Sequence, residues 1–295
     1  MDNTVFPGRS TSMHVIYSDL MVSPAQGTSP SAAKPRPVVE AWMALDPEVR
    51  ILPPKPVTID DFARAHERSF VENIFAQRIP NGFGTRSSEV NRSLPYTTGA
   101  MLDGARLALS QKTAVAAPVS GFHHARWSEA AAYCTFNGLM VTAMALRAEH
   151  PKLRVGILDY DYHYGDGTDD ILHRLGLDWI VHYSAGQKYL YADQATAFLD
   201  AIPTHVAKMA GCDVVLYQAG ADPHIDDPLG GFLSTAELAD RDRRVFQGLH
   251  DRGIPVAWNL AGGYQQPLSK VVAIHRNTYR ACKAIYDAPM ARSAR

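Results

Sequence analysis

Short apolar runs alternate with segments of helical spacing along most of this chain. Runs of strand length occupy 13–17, 50–52, 114–117, 155–160, 179–183, 213–222 and 255–260. Helical spacing occupies 38–45, 59–66, 69–77, 97–109, 128–149, 234–253 and 267–286. Stretches 23–37 and 79–93 are rich in residues that favour irregular structure, and we expect surface loops there. The alternation predicts an α/β fold in which one open, mostly parallel sheet is covered by helices on both faces.

Length and composition fit a single large domain. The chain has 295 residues, of which 46% are hydrophobic and 20% charged, and it shows no internal repeat or linker. We therefore expect one domain over 13–295, preceded by a disordered leader over 1–12. The net charge of -1 gives no basic footprint for nucleic acid and no strong attraction to an acidic membrane.

Cysteine usage and hydropathy indicate a reducing compartment. Cys134, Cys212 and Cys282 are widely spaced and form no CxxC pair. They fit buried core residues better than a disulfide framework. No apolar run is long enough to span a bilayer. The expected location is the cytoplasm.

One strand ends in an unusual run of ionisable groups. After the apolar stretch 155–158 come Asp159, Asp161 and His163, spaced by two. A strand directs alternate residues to one face, so these three side chains are expected to line up at its carboxyl end. A single acid there would fit a solvated turn. Three ionisable groups beside an apolar strand are costly to bury unpaired, which favours a metal or a charge network.

Other predicted strands also end in polar groups. His123 and His124 follow one strand, Asp222 follows another, and Tyr264 follows the last. The carboxyl ends of parallel strands share one edge of the sheet, so these groups can converge. Carboxylate and imidazole are zinc or iron ligands, and three of them leave positions open for water and substrate. The set proposed here is Asp161, His163 and Asp222.

The remaining acids and the tyrosine suggest acid–base chemistry. Asp159 and Asp166 are available to pair with the tandem histidines, and such a carboxylate fixes the imidazole tautomer and raises its basicity. Tyr264 follows two glycines. It fits either a buried aromatic or a phenol that donates to a developing oxyanion.

These motifs together resemble the zinc-dependent histone deacetylase superfamily, which includes bacterial acetylpolyamine amidohydrolases and acetoin-utilisation-type proteins. The resemblance extends over most of the chain from position 13. Five segments carry it in family order: 121–125, 129–137, 159–168, 220–230 and 262–264. It implies an arginase/deacetylase-type fold and an acylated amine or acyl-lysine as substrate.

The resemblance also implies a role for each site residue. Zinc would be held by Asp161, His163 and Asp222. The dyads would be His123 with Asp159 and His124 with Asp166, one histidine would act as general base, and Tyr264 would polarise the carbonyl. A monovalent cation, usually potassium, would bind the Asp159 side chain and the backbone carbonyls of Asp161 and His163.

Four positions depart from the family pattern. Tyr164 stands where a second histidine is usual, and this position is not a ligand. Ala132 replaces a tunnel glycine and Tyr133 a tunnel phenylalanine, so both are expected to alter the substrate tunnel. Ungapped counting from Asp166 puts His182 where a potassium-binding serine is expected, which weakens that site.

The leading hypothesis is hydrolysis of an acyl amide by metal-activated water, with His124 as the base. One alternative is a dinuclear manganese ureohydrolase on the same fold, because the stretch 222–226 superficially resembles its bridging motif. Another is a non-catalytic protein that binds acyl groups or metabolites. Substrate identity and acyl length stay open, and a homo-oligomer is compatible with the sequence.

Overall fold

The computed structural model describes residues 12–287, and the expected leader 1–12 lies almost entirely outside that range. Seven strands form one sheet in the order β2-β1-β3-β7-β6-β4-β5, and every neighbouring pair is parallel. The strands are β1 His14–Ile16, β2 Arg50–Leu52, β3 Ala114–Ala116, β4 Val155–Asp159, β5 Ile180–Ser184, β6 Val214–Gln218 and β7 Val256–Asn259. The predicted parallel α/β architecture is confirmed.

Helices connect the strands and cover both faces of the sheet. They are α1 Pro35–Leu45, α2 Ile59–Phe62, α3 Arg68–Phe75, α4 Ser88–Gln111, α5 Gly138–Glu149, α6 Asp166–Leu175, α7 Ala195–Ala207, α8 Thr235–Asp251 and α9 Ser269–Tyr286. Residues of α1, α7, α8 and α9 pack in one apolar core, and residues of α2 to α6 pack in the other. Within 12–287, none of the helices is both long and apolar enough to cross a membrane.

The central strands are apolar throughout because both of their faces are covered. All five residues of β4 are buried, and so are all five of β6. A parallel sheet between two helical layers requires such runs. All three cysteines are free and buried, as expected.

The predicted helix over 128–149 is wrong in its first half. Helix α5 begins only at Gly138, where the Asn137 side chain accepts from the Met140 amide at 3.1 Å. Upstream, Ala132 and Tyr133 have φ of 43° and 67°. Two positive φ values between the hydrogen-bonded pair Ala131 and Cys134 fit a two-residue type I′ turn, which is incompatible with a helix at these residues. The alanine-rich composition favoured a helix, but this tertiary turn overrides it.

Two other predicted loops are partly ordered. Helix α4 begins at Ser88, inside the stretch 79–93, and the Ser87 hydroxyl accepts from the Val90 amide at 3.3 Å. The stretch 23–37 is not simply a surface loop, because Lys34 is fully buried and α1 begins at Pro35. Conversely, the helix predicted over 59–66 is shorter and ends at Phe62.

Candidate metal and acid–base site

The carboxyl ends of four strands meet around one narrow slot. The slot is lined by residues that follow β3, β4 and β7, together with two serines. Asp222, which follows β6, is not a lining residue but contacts one of them, His163. Its carboxylate is 3.1 Å from the His163 ring. The segments named from the sequence therefore converge at one edge of the sheet.

Asp161, His163 and Asp222 form a compact cluster of ligand atoms. Their donor atoms all lie within 4.8 Å of one another. Nδ1 of His163 is 3.2 Å from Asp161 Oδ1 and 3.1 Å from Asp222 Oδ2. Ligand atoms bound about 2 Å from one tetrahedral zinc ion are separated by roughly 3.3 Å. The donor set and its spacing therefore fit a single divalent cation.

The charges of this cluster also call for a cation. Burial and the neighbouring charge of Asp161 raise the pKa of Asp222 to about 7. Burial would lower the pKa of His163, but hydrogen bonds to Asp161 and Asp222 raise it to about 11. Without a metal, a bound proton must offset the repulsion between the carboxylates of Asp161 and Asp222. A bound divalent ion would take over that role.

Backbone amides fix the orientation of the carboxylates. Asp161 Oδ2 accepts from the Gly262 amide at 2.8 Å, and its Oδ1 accepts from the His163 amide at 3.0 Å. Asp222 Oδ1 accepts from the Tyr162 amide at 3.3 Å. Because these donors belong to the main chain, the carboxylates are held before any ligand arrives.

The two histidines behind the slot are each paired with a carboxylate. Nδ1 of His123 lies 2.7 Å from Asp159 Oδ2, and Nδ1 of His124 lies 2.7 Å from Asp166 Oδ1. A carboxylate can only accept, so each Nδ1–H is the donor and each Nε2 is left for other partners. Arg126 also donates to Asp166, at 2.6 Å.

Their different surroundings shift the pKa values of the two imidazoles in opposite directions. Burial opposes protonation of His123, but the charges of Asp159 and Asp161 outweigh it and raise its pKa to about 9. Burial and the neighbouring His123 lower the pKa of His124, although Asp166 acts in the opposite direction. The pair therefore favours one protonated and one neutral ring, which suits a donor beside a base.

Tyr264 lies over the same slot as a protonated phenol. Burial, followed by the charges of Asp222 and Asp161, raises the pKa of Tyr264 well above its usual range. Its backbone amide donates to Asp227 Oδ2 at 2.8 Å, which anchors the turn after β7. The phenol is a hydrogen-bond donor at any physiological pH.

Ala132 and Tyr133 form one wall of the slot through the type I′ turn. The Tyr133 ring lies 5.6 Å from the Tyr264 ring and 5.8 Å from that of Phe83. The positive φ at Ala132 explains why glycine suits this position. Both residues line the slot.

Lys34 reaches the site and was not anticipated from the sequence. Its ammonium donates to the Ala261 carbonyl at 2.5 Å, just before the Gly-Gly-Tyr turn. Burial lowers the pKa of Lys34 to about 8, against the attraction of Asp222 and Asp161. A lysine in a Ser/Pro-rich stretch carries no signal of such burial.

Gln218 was also missed, although its position offered a signal. It is the last residue of the buried strand β6, where a polar side chain needs a partner. Its Nε2 donates to Asp159 Oδ1 at 3.1 Å, and its Oε1 accepts from the Phe122 amide at 3.2 Å. Gln218 thus orients the carboxylate that holds His123.

Strand β5, which runs beside Asp159, contains both His182 and a serine. In the register of β4 and β5, Asp159 pairs with Ser184, whereas His182 pairs with Ile157. Ser184 Oγ accepts from the Gly165 amide at 3.0 Å. His182 instead pairs with Asp169 at 2.6 Å. A serine therefore lies opposite Asp159 in the sheet, two residues after His182.

The fold and site define a parallel α/β protein with a candidate metal cluster backed by two histidine–carboxylate pairs. The family model for the histone deacetylase domain matches residues 34–176. An uncharacterised protein of Picosynechococcus sp. is 27% identical over 214 residues, which is 67% of this chain and 71% of that protein. Histone deacetylase 6 of Caenorhabditis elegans is 25% identical over 59% of this chain, but only 21% of that protein is covered.

Solved structures support the same fold. Acetylpolyamine aminohydrolase from Burkholderia pseudomallei superposes with a TM-score of 0.74 and 18% identity, covering 93% of this chain and 99% of that one. The sheet and helices of this chain match the predicted arginase/deacetylase fold. This chain is therefore similar to the histone deacetylase superfamily, through the family model over residues 34–176 and through its fold.

Proposed function

We propose that this protein is a zinc-dependent amidohydrolase that removes an acyl group, with acetyl as the simplest case, from an acylated amine. One observation carries the proposal. Three ligand atoms within 4.8 Å of one another adjoin a slot that is also lined by two histidines and a partly buried tyrosine. Amide hydrolysis needs an electrophile, a base and an oxyanion donor together, and this arrangement supplies a candidate for each.

Asp161, His163 and Asp222 would hold the zinc ion. When bound, zinc would act as a Lewis acid on the acyl carbonyl and lower the pKa of a water molecule toward about 7. We also propose a potassium ion at the Asp159 carboxylate and the backbone carbonyls of Asp161 and His163. The hydroxyl of Ser184, which pairs with Asp159 across the sheet, supports this second site.

His124 is the proposed general base. Burial and the adjacent His123 favour its neutral form, and its Nδ1–H already donates to Asp166, so Nε2 is free to take a proton from water. The negative charge of Asp166 stabilises the imidazolium that forms. His123, whose Nδ1–H donates to Asp159 at 2.7 Å, is the other dyad imidazole that could supply a proton to the leaving amine.

Tyr264 is the proposed oxyanion donor. Its phenol stays protonated because burial and nearby carboxylates raise its pKa. A donor already in place gains strength as negative charge develops on the acyl oxygen. The tetrahedral species would collapse as a dyad imidazolium protonates the departing nitrogen.

The substrate is proposed as an acyl-lysine or a small acylated amine. The name of the Burkholderia neighbour describes an acetylated polyamine, which belongs to the second class. Both classes present an acyl amide on a slender alkyl chain. The slot wall at Ala132 and Tyr133 would set which acyl group fits.

The structure does not favour a dinuclear site at the stretch 222–226. His224 uses both of its ring nitrogens locally, with Nε2 at 2.9 Å from the Thr235 hydroxyl and Nδ1 accepting from the Asp226 amide at 3.0 Å. Across 12–287, the one cluster of metal-binding groups is that of Asp161, His163 and Asp222. A single ion therefore fits better than a pair.

A substrate panel tests the proposal. Purified protein would be assayed on acetyl-lysine peptide, acetylpolyamine and longer acyl-lysines, with and without a chelator. We expect turnover of at least one substrate, its loss with chelator, and its return with zinc. Zinc-loaded protein that binds these compounds without hydrolysing any of them would favour the non-catalytic alternative.

A further inference from the structure

Arg241 is a buried cation that the proposed chemistry does not use. It lies on α8 and is 0% exposed. A buried guanidinium is costly unless its nitrogens find partners. Within 12–287, Nη2 has no partner, so Nε and Nη1 carry the contacts of this side chain. Two of these contacts are with main-chain carbonyls beside the metal cluster.

A single nitrogen of Arg241 joins the two chain segments that carry the carboxylate ligands. Nη1 donates to the Tyr160 carbonyl at 3.1 Å and to the Gly220 carbonyl at 2.8 Å. Tyr160 directly precedes Asp161, and Gly220 lies two residues before Asp222. The guanidinium therefore bridges the backbones of both ligands.

The bridge lies where the sheet no longer connects these segments. The last backbone hydrogen bond between them runs from the Tyr160 amide to the Gln218 carbonyl, at 3.0 Å. Beyond it, the carbonyls of Tyr160 and Gly220 face Arg241 instead of a strand. Arg241 thus links the two segments beyond the end of their backbone pairing, next to the ligands Asp161 and Asp222.

The two segments touch at Gly220. A Cβ added there would lie 2.6 Å from Asp222 Oδ1 and 2.8 Å from Asp161 Cα. Two carboxylate-bearing segments this close repel each other when both are charged. A nearby fixed cation reduces that repulsion and keeps the segments together.

Arg241 is itself held rigidly. Its Nε donates to Asp242 Oδ1 at 2.8 Å, and Asp242 Oδ2 accepts from the Thr278 hydroxyl of α9 at 2.6 Å. The Tyr217 hydroxyl of β6 donates to the same carboxylate at 2.5 Å. Helices α8 and α9 therefore set the position of the bridge.

We propose that Arg241 is a positioning residue that fixes the separation of Asp161 and Asp222, so that both carboxylates are arranged for the ion before it binds. This inference rests on the proposed function only in that the same cluster holds the ion. It makes the packing of α8 and α9 a determinant of metal affinity.

The test compares Arg241→Lys with Arg244→Lys. Arg244 is a matched control on α8, because it too donates to a main-chain carbonyl, that of Leu199 at 3.0 Å, and to a carboxylate, that of Asp240 at 2.7 Å. Lysine keeps the charge but lacks the guanidinium fork. Zinc affinity would be measured by competition with a chelator, and the visible spectrum would be recorded with cobalt in place of zinc.

We expect Arg241→Lys to weaken zinc binding by about 10- to 100-fold, the usual effect of losing a residue that orients metal ligands. Its cobalt spectrum should change, and excess zinc should restore much of its turnover. Arg244→Lys should match the wild type in affinity and spectrum. Folded Arg241→Lys protein with wild-type affinity and spectrum would overturn the inference.

A second variant covers the case in which Arg241→Lys does not fold. Thr278→Val removes one hydrogen bond from the Asp242 carboxylate that holds Arg241. A smaller but measurable loss of zinc affinity is expected, and unchanged affinity would contradict the inference. A wild-type protein that binds no zinc would instead refute the proposed function, so the two failures are distinguishable.

Discussion

Nδ1 of His124 lies 2.7 Å from Oδ1 of Asp166, while Arg126 reaches the other oxygen of the same carboxylate at 2.6 Å. The Asp166 carboxylate places a fixed negative charge beside the proposed base, His124. Arg126 offsets part of that charge from the other carboxylate oxygen. The imidazolium that forms when His124 takes a proton is stabilised by that charge.

Asp166→Asn should therefore slow the reaction without removing the metal. The amide can still accept from Nδ1–H, but it no longer neutralises an imidazolium. We expect kcat/KM to fall by about 10- to 100-fold, with unchanged zinc content. Asp170→Asn is the control on the same helix, because Asp170 accepts only from the Trp127 amide at 2.9 Å. Equal losses in both variants would argue against the dyad.

Tyr264→Phe tests the oxyanion donor. Removing one such donor should lower kcat by roughly 10²–10³-fold, because the interaction strengthens as charge develops. Tyr191→Phe deletes a hydroxyl from an exposed ring outside the slot and should stay near the wild-type rate. A Tyr264→Phe enzyme with wild-type turnover would remove the role.

Ala132→Gly should not destabilise the protein, although glycine usually does. The φ of 43° at Ala132 costs a side-chain-bearing residue about 1–2 kcal/mol, whereas the extra freedom of glycine in the unfolded chain costs about 0.4–1 kcal/mol. The free energy of unfolding should thus rise by about 0–1.6 kcal/mol. Ala130→Gly, two residues away and without that strain, should lower it. Equal losses in denaturant titrations of both variants would contradict the strain argument.

Stability should fall in mild acid because of His66. Its Nδ1–H donates to the Arg126 carbonyl at 2.9 Å and its Nε2 accepts from the Asn137 amide at 2.8 Å, so only the neutral ring fits. Burial lowers the pKa of His66 to about 4, against about 6.5 when unfolded. The unfolded chain binds the proton more tightly, so stability is full above pH 6.5 and is lost on going down toward pH 4. At pH 5 the loss is about 2 kcal/mol.

The measurement is the free energy of unfolding from pH 7.5 to pH 5. His66→Gln cannot titrate and should show a shallower decline than the wild type. His173→Gln, at an exposed position, should keep the wild-type slope. A decline unchanged in His66→Gln would assign the acid sensitivity to other groups.

Sequence patterns predicted much of the sheet and the groups at its edge. Asp161, His163 and Asp222 could be predicted because each follows an apolar strand, and parallel strands bring their carboxyl ends to one edge of the sheet. His123 and His124 could be predicted for the same reason. For these residues, the order of apolar and polar segments along the chain was sufficient for the prediction.

Contacts distant in sequence explain what was missed. The type I′ turn at Ala132 and Tyr133 is held by the Tyr133 amide donating to the Gly82 carbonyl at 2.9 Å, which no local propensity reveals. Lys34 is buried through a partner 227 positions away.

Metal content in Asp222→Ala and Asp226→Ala tests the central claim most directly. Asp222 is buried in the cluster, and Asp226 is exposed in the same loop. After dialysis against zinc and removal of free metal, elemental analysis should find one zinc per chain in the wild type and in Asp226→Ala, and almost none in Asp222→Ala. Full zinc occupancy of Asp222→Ala, or two manganese ions per wild-type chain, would contradict a single zinc ion at Asp161, His163 and Asp222.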